Sequence, residues 1–167
     1  MKNTTYNSNK SAGILGMSAP ELRIGTWIDH SGCPMDPPSL IQLLGKTKVI
    51  FCYQPNCRGS IGIGLPIMKK LIEVTSNNPD VEVMAVQTIF NFPYDHPPHK
   101  LPTIQKELQM PIPIGYTNHR TNEEACHFIS DYNVVGTPWY IFIDANNKVI
   151  YNHYYITLDE AMKIIRQ

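Results

Sequence analysis

Apolar positions along the chain fall into two rhythms, and their alternation predicts the architecture. KVIFCYQ (48–54) is rich in β-branched and aromatic residues and reads as a buried strand. VEVMAVQTI (81–89) reads as a second core strand, and IPIGY (112–116) as a short strand. Between them the period changes to that of a helix. SIGIGLPIMKKLIEVTS (60–76) sets Leu65, Met68 and Ile72 on one helical face, with Pro66 expected to kink the helix rather than end it. HKLPTIQKELQ reads as a helix opened by prolines, and NEEACHFISDYN (122–133) as an amphipathic helix capped by Thr121 or Asn122. WYIFIDANNKVIYNHYY (139–155) is a hairpin whose Ala-Asn-Asn turn tolerates positive φ. TLDEAMKIIRQ closes the chain as a helix, with Thr157 and Glu160 forming a capping box. Upstream, APELRIGTWID offers a short extended pair and SLIQLLGK a turn or short helix.

Strand and helix alternate and then give way to a hairpin and a last helix. That order predicts an α/β fold with a central mixed β-sheet flanked by helices. The polar stretch 1–18 reads as a flexible N-terminal lead and 19–167 as one domain, a size that sustains its own core.

Composition narrows the function classes. Lys plus Arg equals Asp plus Glu at 14 each, so charge offers no argument for nucleic acid or an anionic membrane surface as a partner. No apolar run approaches the length of a membrane span, and the N-terminus has no signal-like apolar segment, so a cytoplasmic location is expected. The four cysteines, Cys33, Cys52, Cys57 and Cys126, are widely spaced in a chain that needs no staples, which favours reduced thiols.

Candidate chemistry concentrates in FCYQPNCRGSIGIGLP (51–66). The strand-to-helix break puts Cys57 at the start of a helix, where unpaired N–H groups and the helix dipole favour a thiolate. Arg58 adds a neighbouring positive charge. Ser60, three residues on, lies on the same side of the helix and offers the thiolate a hydrogen bond, but it cannot resolve a mixed disulfide as a second thiol would. Cys52 packs in an apolar strand, about 16 Å away if the backbone were fully extended. Cys126 lies on a helix beside Phe128 and Ile129, and Cys33 in a Gly-Cys-Pro loop, with nothing in the sequence to bring either to Cys57.

The histidines of YDHPPHK, His96 and His99, have no Cys or acidic partners at ligand spacing and no metal site is expected there. The glycines of SIGIGLP lack the GK[ST] of a phosphate loop.

This segment resembles the active-site region of thioredoxin-like redoxins, the superfamily that includes TlpA-type thiol–disulfide reductases and the alkyl hydroperoxide reductase/thiol-specific antioxidant proteins. The resemblance runs from about Ala19 to the C-terminus. Cys57 matches the attacking cysteine, Pro66 the proline further along the helix, and KVIFCYQ the strand that delivers the site. Downstream, in YNVVGTPWYIFIDANNKVI, Pro138 preceded by Thr137 matches the cis-proline that faces the active cysteine. The resemblance implies that Thr137 and Pro138 align an extended substrate; Trp139 beside them reads as a core residue, with lining of the substrate groove as the alternative.

Three positions depart from the family pattern. Asn56 stands where the reductases usually carry tryptophan, Ser60 replaces the resolving cysteine, and Gln54 occupies the position where the peroxidase branch has Thr or Ser. The expected activity is therefore monothiol thiol–disulfide exchange through Cys57 on a protein or small-molecule disulfide. No cofactor is needed beyond an external thiol such as glutathione or a protein thiol. A single-cysteine peroxidase and a non-catalytic peptide-binding module are the alternatives. The oligomeric state is not legible.

Overall fold

The computed structural model describes residues 14–90, 96–118 and 123–166. Seven strands form a single sheet in the order β2-β1-β5-β4-β3-β6-β7. They are β1 (Thr26–Ile28), β2 (Pro34–Met35), β3 (Thr47–Tyr53), β4 (Val81–Ile89), β5 (Ile114–Asn118), β6 (Trp139–Ile143) and β7 (Val149–His153). The helices are α1 (Leu65–Thr75), α2 (Leu101–Leu108), α3 (Glu123–Asp131) and α4 (Leu158–Ile165). β3, β4 and β5 run parallel, while β6 and β1 join them antiparallel. The mixed α/β sheet expected from the alternating rhythms is the one observed.

The period-2 alternation of each central strand divides the core between the two sheet faces. Val49, Phe51 and Tyr53 of β3, with Ala85 of β4 and Tyr140 and Phe142 of β6, pack with Leu65, Met68 and Leu71 of α1 and with residues of α2 and α4. Ile50 and Cys52, with Met84 and Val86 and with Trp139 and Ile141, meet Phe128 and Ile129 of α3 and the segment carrying Leu22 and Ile24 on the other face. β3 is closed to water from Val49 to Tyr53, as its unbroken apolar run predicts.

Local chemistry sets the element ends. The capping box closes α4: the Glu160 N–H donates to Thr157 Oγ1 at 3.2 Å, and the Thr157 N–H to Glu160 Oε2 at 2.8 Å. In the β6–β7 turn, Asp144 Oδ1 accepts the N–H groups of Asn146 and Lys148, and Asn147 takes φ 60°. Lys48, fully buried on β3, donates to the Asp144 carbonyl at 2.7 Å and to Asn147 Oδ1 at 2.5 Å, tying the turn to the central strand. Burial lowers the Lys48 ammonium pKa, and Asp144 works against that shift.

Several expectations change in detail. The segment 60–76 is not one kinked α-helix. A helical turn at 58–59 leads into a π-helical stretch, Ser60–Gly64, and α1 begins at Leu65 with Pro66 in its first turn. The Leu65 N–H reaches back to the Ser60 carbonyl, and this wider turn makes room where a proline ring would crowd the carbonyl four residues earlier. β5 starts two residues later than IPIGY implied and runs to Asn118. Within the stretch read as a lead, the described residues 14–18 meet the start of β7, the Gly16 N–H donating to the Val149 carbonyl at 2.8 Å and the Val149 N–H to the Met17 carbonyl at 2.9 Å. The rest of that lead, the Thr121 or Asn122 cap and the Cys126 side chain lie outside the described residues.

Candidate active site

The end of β3 delivers Cys57 through a tight turn. The Cys57 N–H closes it on the Gln54 carbonyl at 3.0 Å, and the Cys57 carbonyl accepts the Ile61 N–H at 3.0 Å to start the helix. Cys57 therefore sits at the helix entrance, partly exposed, with the Ser60 N–H pointing at its sulfur at 3.4 Å. Across from it the Thr137–Pro138 peptide bond is cis, and the Cys57 thiol donates to the Thr137 carbonyl at 3.3 Å.

Ser60 is fully buried, and its Oγ accepts the Gln54 N–H at 3.4 Å. With its oxygen used as acceptor, the hydroxyl proton is free to serve the sulfur. Burial pushes the Cys57 thiol up, but bonds from the Ser60 hydroxyl, the Ser60 N–H, the Thr137 side chain and the Gly59 N–H outweigh it and hold the pKa below the ordinary thiol value.

A groove of about 470 Å³ opens beside the sulfur, lined by Gln54, Asn56, Cys57, Phe90, Val135, Gly136 and Thr137. Two glycines beside the site allow the helix entrance to pack closely against Pro138. A Cβ on Gly59 would stand 3.1 Å from Pro138 Cδ, and one on Gly64 2.9 Å from the Phe51 ring and 3.0 Å from Pro138 Cβ. Gly64 belongs to the SIGIGLP stretch, and Gly59 immediately precedes it. Their role is close packing of the helix entrance against the cis-proline, a reading that sequence spacing did not suggest.

The structure thus brings together Cys57, Ser60, Asn56, Thr137 and Pro138. It does not bring Trp139 to the groove. The first residue of β6 faces away, 1% exposed, and its indole Nε1–H donates to Asn152 Oδ1 at 2.5 Å. Arg58 is exposed and makes no bond to the sulfur among the described residues, and Pro66 is exposed at the start of α1, outside the groove lining.

Neither of the other described candidates for a resolving thiol is placed for it. Cys52 packs on the sheet face opposite α1, and Cys33 precedes β2, four strands across from β3, or about 19 Å at strand spacing. Cys33, Cys52 and Cys57 are all free.

Gln54 is the residue that sequence reasoning missed. Besides its backbone bonds to the Cys57 turn and to Ser60, its side chain bonds Asn56 at 2.7 Å and the Phe90 N–H at 3.2 Å. A polar residue ending a buried strand just before a proline turn was the available signal.

No protein-family model matches the chain, and no curated protein does. Solved structures do. A thioredoxin-like superfamily protein aligns at 27% identity over 90% of this chain and 94% of that one, with a TM-score of 0.76. A thiol-disulfide isomerase from Corynebacterium glutamicum aligns at 20% identity, covering 88% and 93%, with a TM-score of 0.72. A secreted Mycobacterium tuberculosis disulfide oxidoreductase, homologous to E. coli DsbE, aligns at 17% identity over 86% and 96%, with a TM-score of 0.58. Among the described residues, no helix is long and apolar enough to cross a membrane. With a parallel β3–β4–β5 core, antiparallel β6 and β7, and a cysteine at a helix entrance facing a cis-proline, the chain has a thioredoxin-like fold.

Proposed function

We propose that the protein is a cytoplasmic thiol–disulfide oxidoreductase working by a monothiol mechanism through Cys57. The observation that carries this reading is the set of donors converging on one sulfur at a helix entrance, opposite cis-Pro138 and open to a groove. The Cys57 thiolate attacks one sulfur of a protein or small-molecule disulfide. A new S–S bond forms, the old one breaks, and the second sulfur leaves as a thiolate that takes a proton from water. Ser60 cannot attack the resulting mixed disulfide, so an external thiol, glutathione or a protein thiol, does so. It bonds to the substrate sulfur, returns Cys57 as thiolate, and leaves a new external disulfide. Thr137 and Pro138 present the backbone along which an extended substrate lies. The neighbours named as disulfide oxidoreductases support the same chemistry. Nucleic acid and membrane are not among the partners of this reading, and it requires no metal or bound cofactor.

The test is alkylation by iodoacetamide as a function of pH, read cysteine by cysteine by peptide mass spectrometry. Rapid modification of Cys57 alone well below pH 8 is the expected result. A Cys57 that titrates like an ordinary thiol removes the exchange reading and leaves a peptide-binding module. A reaction with micromolar peroxide faster than with disulfides replaces exchange with single-cysteine peroxidase chemistry.

A further inference from the structure

The hydrogen-bonding polarity of the groove beside Cys57 is set by two side-chain amides in series. It can be followed from an atom whose hydrogen is unambiguous. The Phe90 backbone nitrogen can only donate, and it donates to Gln54 Oε1 at 3.2 Å. That bond turns the Gln54 amide oxygen toward the end of β4 and its nitrogen toward the Cys57 turn. The nitrogen then donates to Asn56 Oδ1 at 2.7 Å. With the Asn56 oxygen engaged, the donor Nδ2 is the end of that amide left to face the groove it lines. Gln54 is only 7% exposed, so water does not compete freely for the relay, whereas Asn56 is exposed and can meet a ligand. The lining also includes the apolar Val135, 69% exposed.

We propose that Asn56, oriented by Gln54, is a specificity-determining residue. It donates Nδ2–H to an oxygen acceptor, a peptide carbonyl or a carboxylate, lying a few bonds from the sulfur that Cys57 attacks. Gln54 is a positioning residue, and the groove selects disulfides bearing such an oxygen over those bearing only donors. The assignment rests on the exchange reading above, and the reaction is its first step: the Cys57–S bond forms, the substrate S–S bond breaks, and the leaving thiolate is protonated by water.

The experiment uses the full chain and three disulfides of matched length. Dithiodipropionate carries carboxylates, dithiodipropionamide carries uncharged carbonyls, and cystamine carries ammonium groups. Formation of the Cys57 mixed disulfide is timed by mass spectrometry, and each variant is normalised to its own iodoacetamide rate, which removes changes in thiolate fraction. Relative to wild type, Asn56→Ala should lower the rate ratio of dithiodipropionamide to cystamine about fivefold, the size of one partly exposed hydrogen bond. Asn56→Asp keeps the acceptor for Gln54 but turns an oxygen to the groove, and should shift the ratio toward cystamine beyond the alanine value. Gln54→Met should lower the ratio alone but not in an Asn56→Ala background, because it acts through Asn56. An unchanged amide ratio in Asn56→Ala overturns the assignment while leaving exchange intact. A response of dithiodipropionate without one of dithiodipropionamide overturns it too, in favour of charge alone. Failure of Cys57 to react with any of the three overturns both readings.

Discussion

Cys52 and Cys57 stand five residues apart and share a strand-turn segment, yet their surroundings drive them in opposite directions. Cys52 lies inside β3, fully buried on the face that packs against α3, with Thr88 as its polar contact. Burial pushes its thiol far above the ordinary range, and the Thr88 bond does little against it. Cys57 has left the strand. Burial raises its pKa as well, but four bonds at the helix entrance and the cis-proline loop reverse the sign. The contrast lies in where each sulfur sits relative to unpaired backbone donors: β3 uses its N–H groups in the ladder, whereas the first turn of a helix has donors to spare.

Removing each thiol breaks the comparison most directly. Cys57→Ser should abolish mixed-disulfide formation, lowering it about a hundredfold or more, because the thiolate is the nucleophile. Cys52→Ala should leave the rate within about twofold. Equal losses in the two variants, measured with one small disulfide, would mean that position in the fold does not separate the two thiols.

Ser60 sharpens the account of why Cys57 is the reactive one. In Ser60→Ala the sulfur keeps the backbone N–H of residue 60 and the Thr137 contacts but loses the hydroxyl, and the midpoint of its alkylation profile should rise. The sign follows from the charge: a donor lost from the thiolate favours the protonated thiol. An unmoved midpoint would assign the depression to the backbone donors. Gly64→Ala probes the packing of the helix entrance against Phe51 and Pro138. Its Cβ would stand 2.9 Å from the Phe51 ring, so stability measured by denaturant should fall by ~1–3 kcal/mol.

The fold was legible because its signals are local and repeated. β3 carries an unbroken apolar run from Val49 to Tyr53 and β4 one from Val83 to Val86, the hairpin has its Asx turn, and α4 has its capping box. The candidate site was legible where function forces a residue type: a cysteine at a strand-to-helix break, a serine three residues on, a proline before the hairpin. Of the two readings of Trp139, core and groove lining, the core one holds, because a residue next to a site in sequence turns to the opposite face once a strand begins. The role of Gly59 and Gly64 was hidden because close approach depends on the distant Pro138. Gln54 was hidden because its importance arises from a bond to the end of β4, 36 residues away. Pairings of that kind leave no periodic trace.

The smallest expected effect tests the Cys52 side of the comparison through stability rather than activity. A thiol whose folded pKa is raised contributes stability that is complete below its unfolded value, ~8.5, and is lost as pH climbs above it, because the unfolded chain ionises while the folded one cannot. Cys57, with a depressed folded value, works the other way: its contribution is present at high pH and is lost as pH falls through its folded pKa. Cys52→Ala should cost some stability at pH 7 from lost packing, yet its stability should then decline less steeply than wild type between about pH 8.5 and 10. The difference is bounded at ~1.4 kcal/mol per pH unit. Urea unfolding at three pH values reads it. Parallel slopes in variant and wild type would show that Cys52 ionises as readily in the fold as out of it, leaving burial in β3 unable to explain the different fates of the two cysteines.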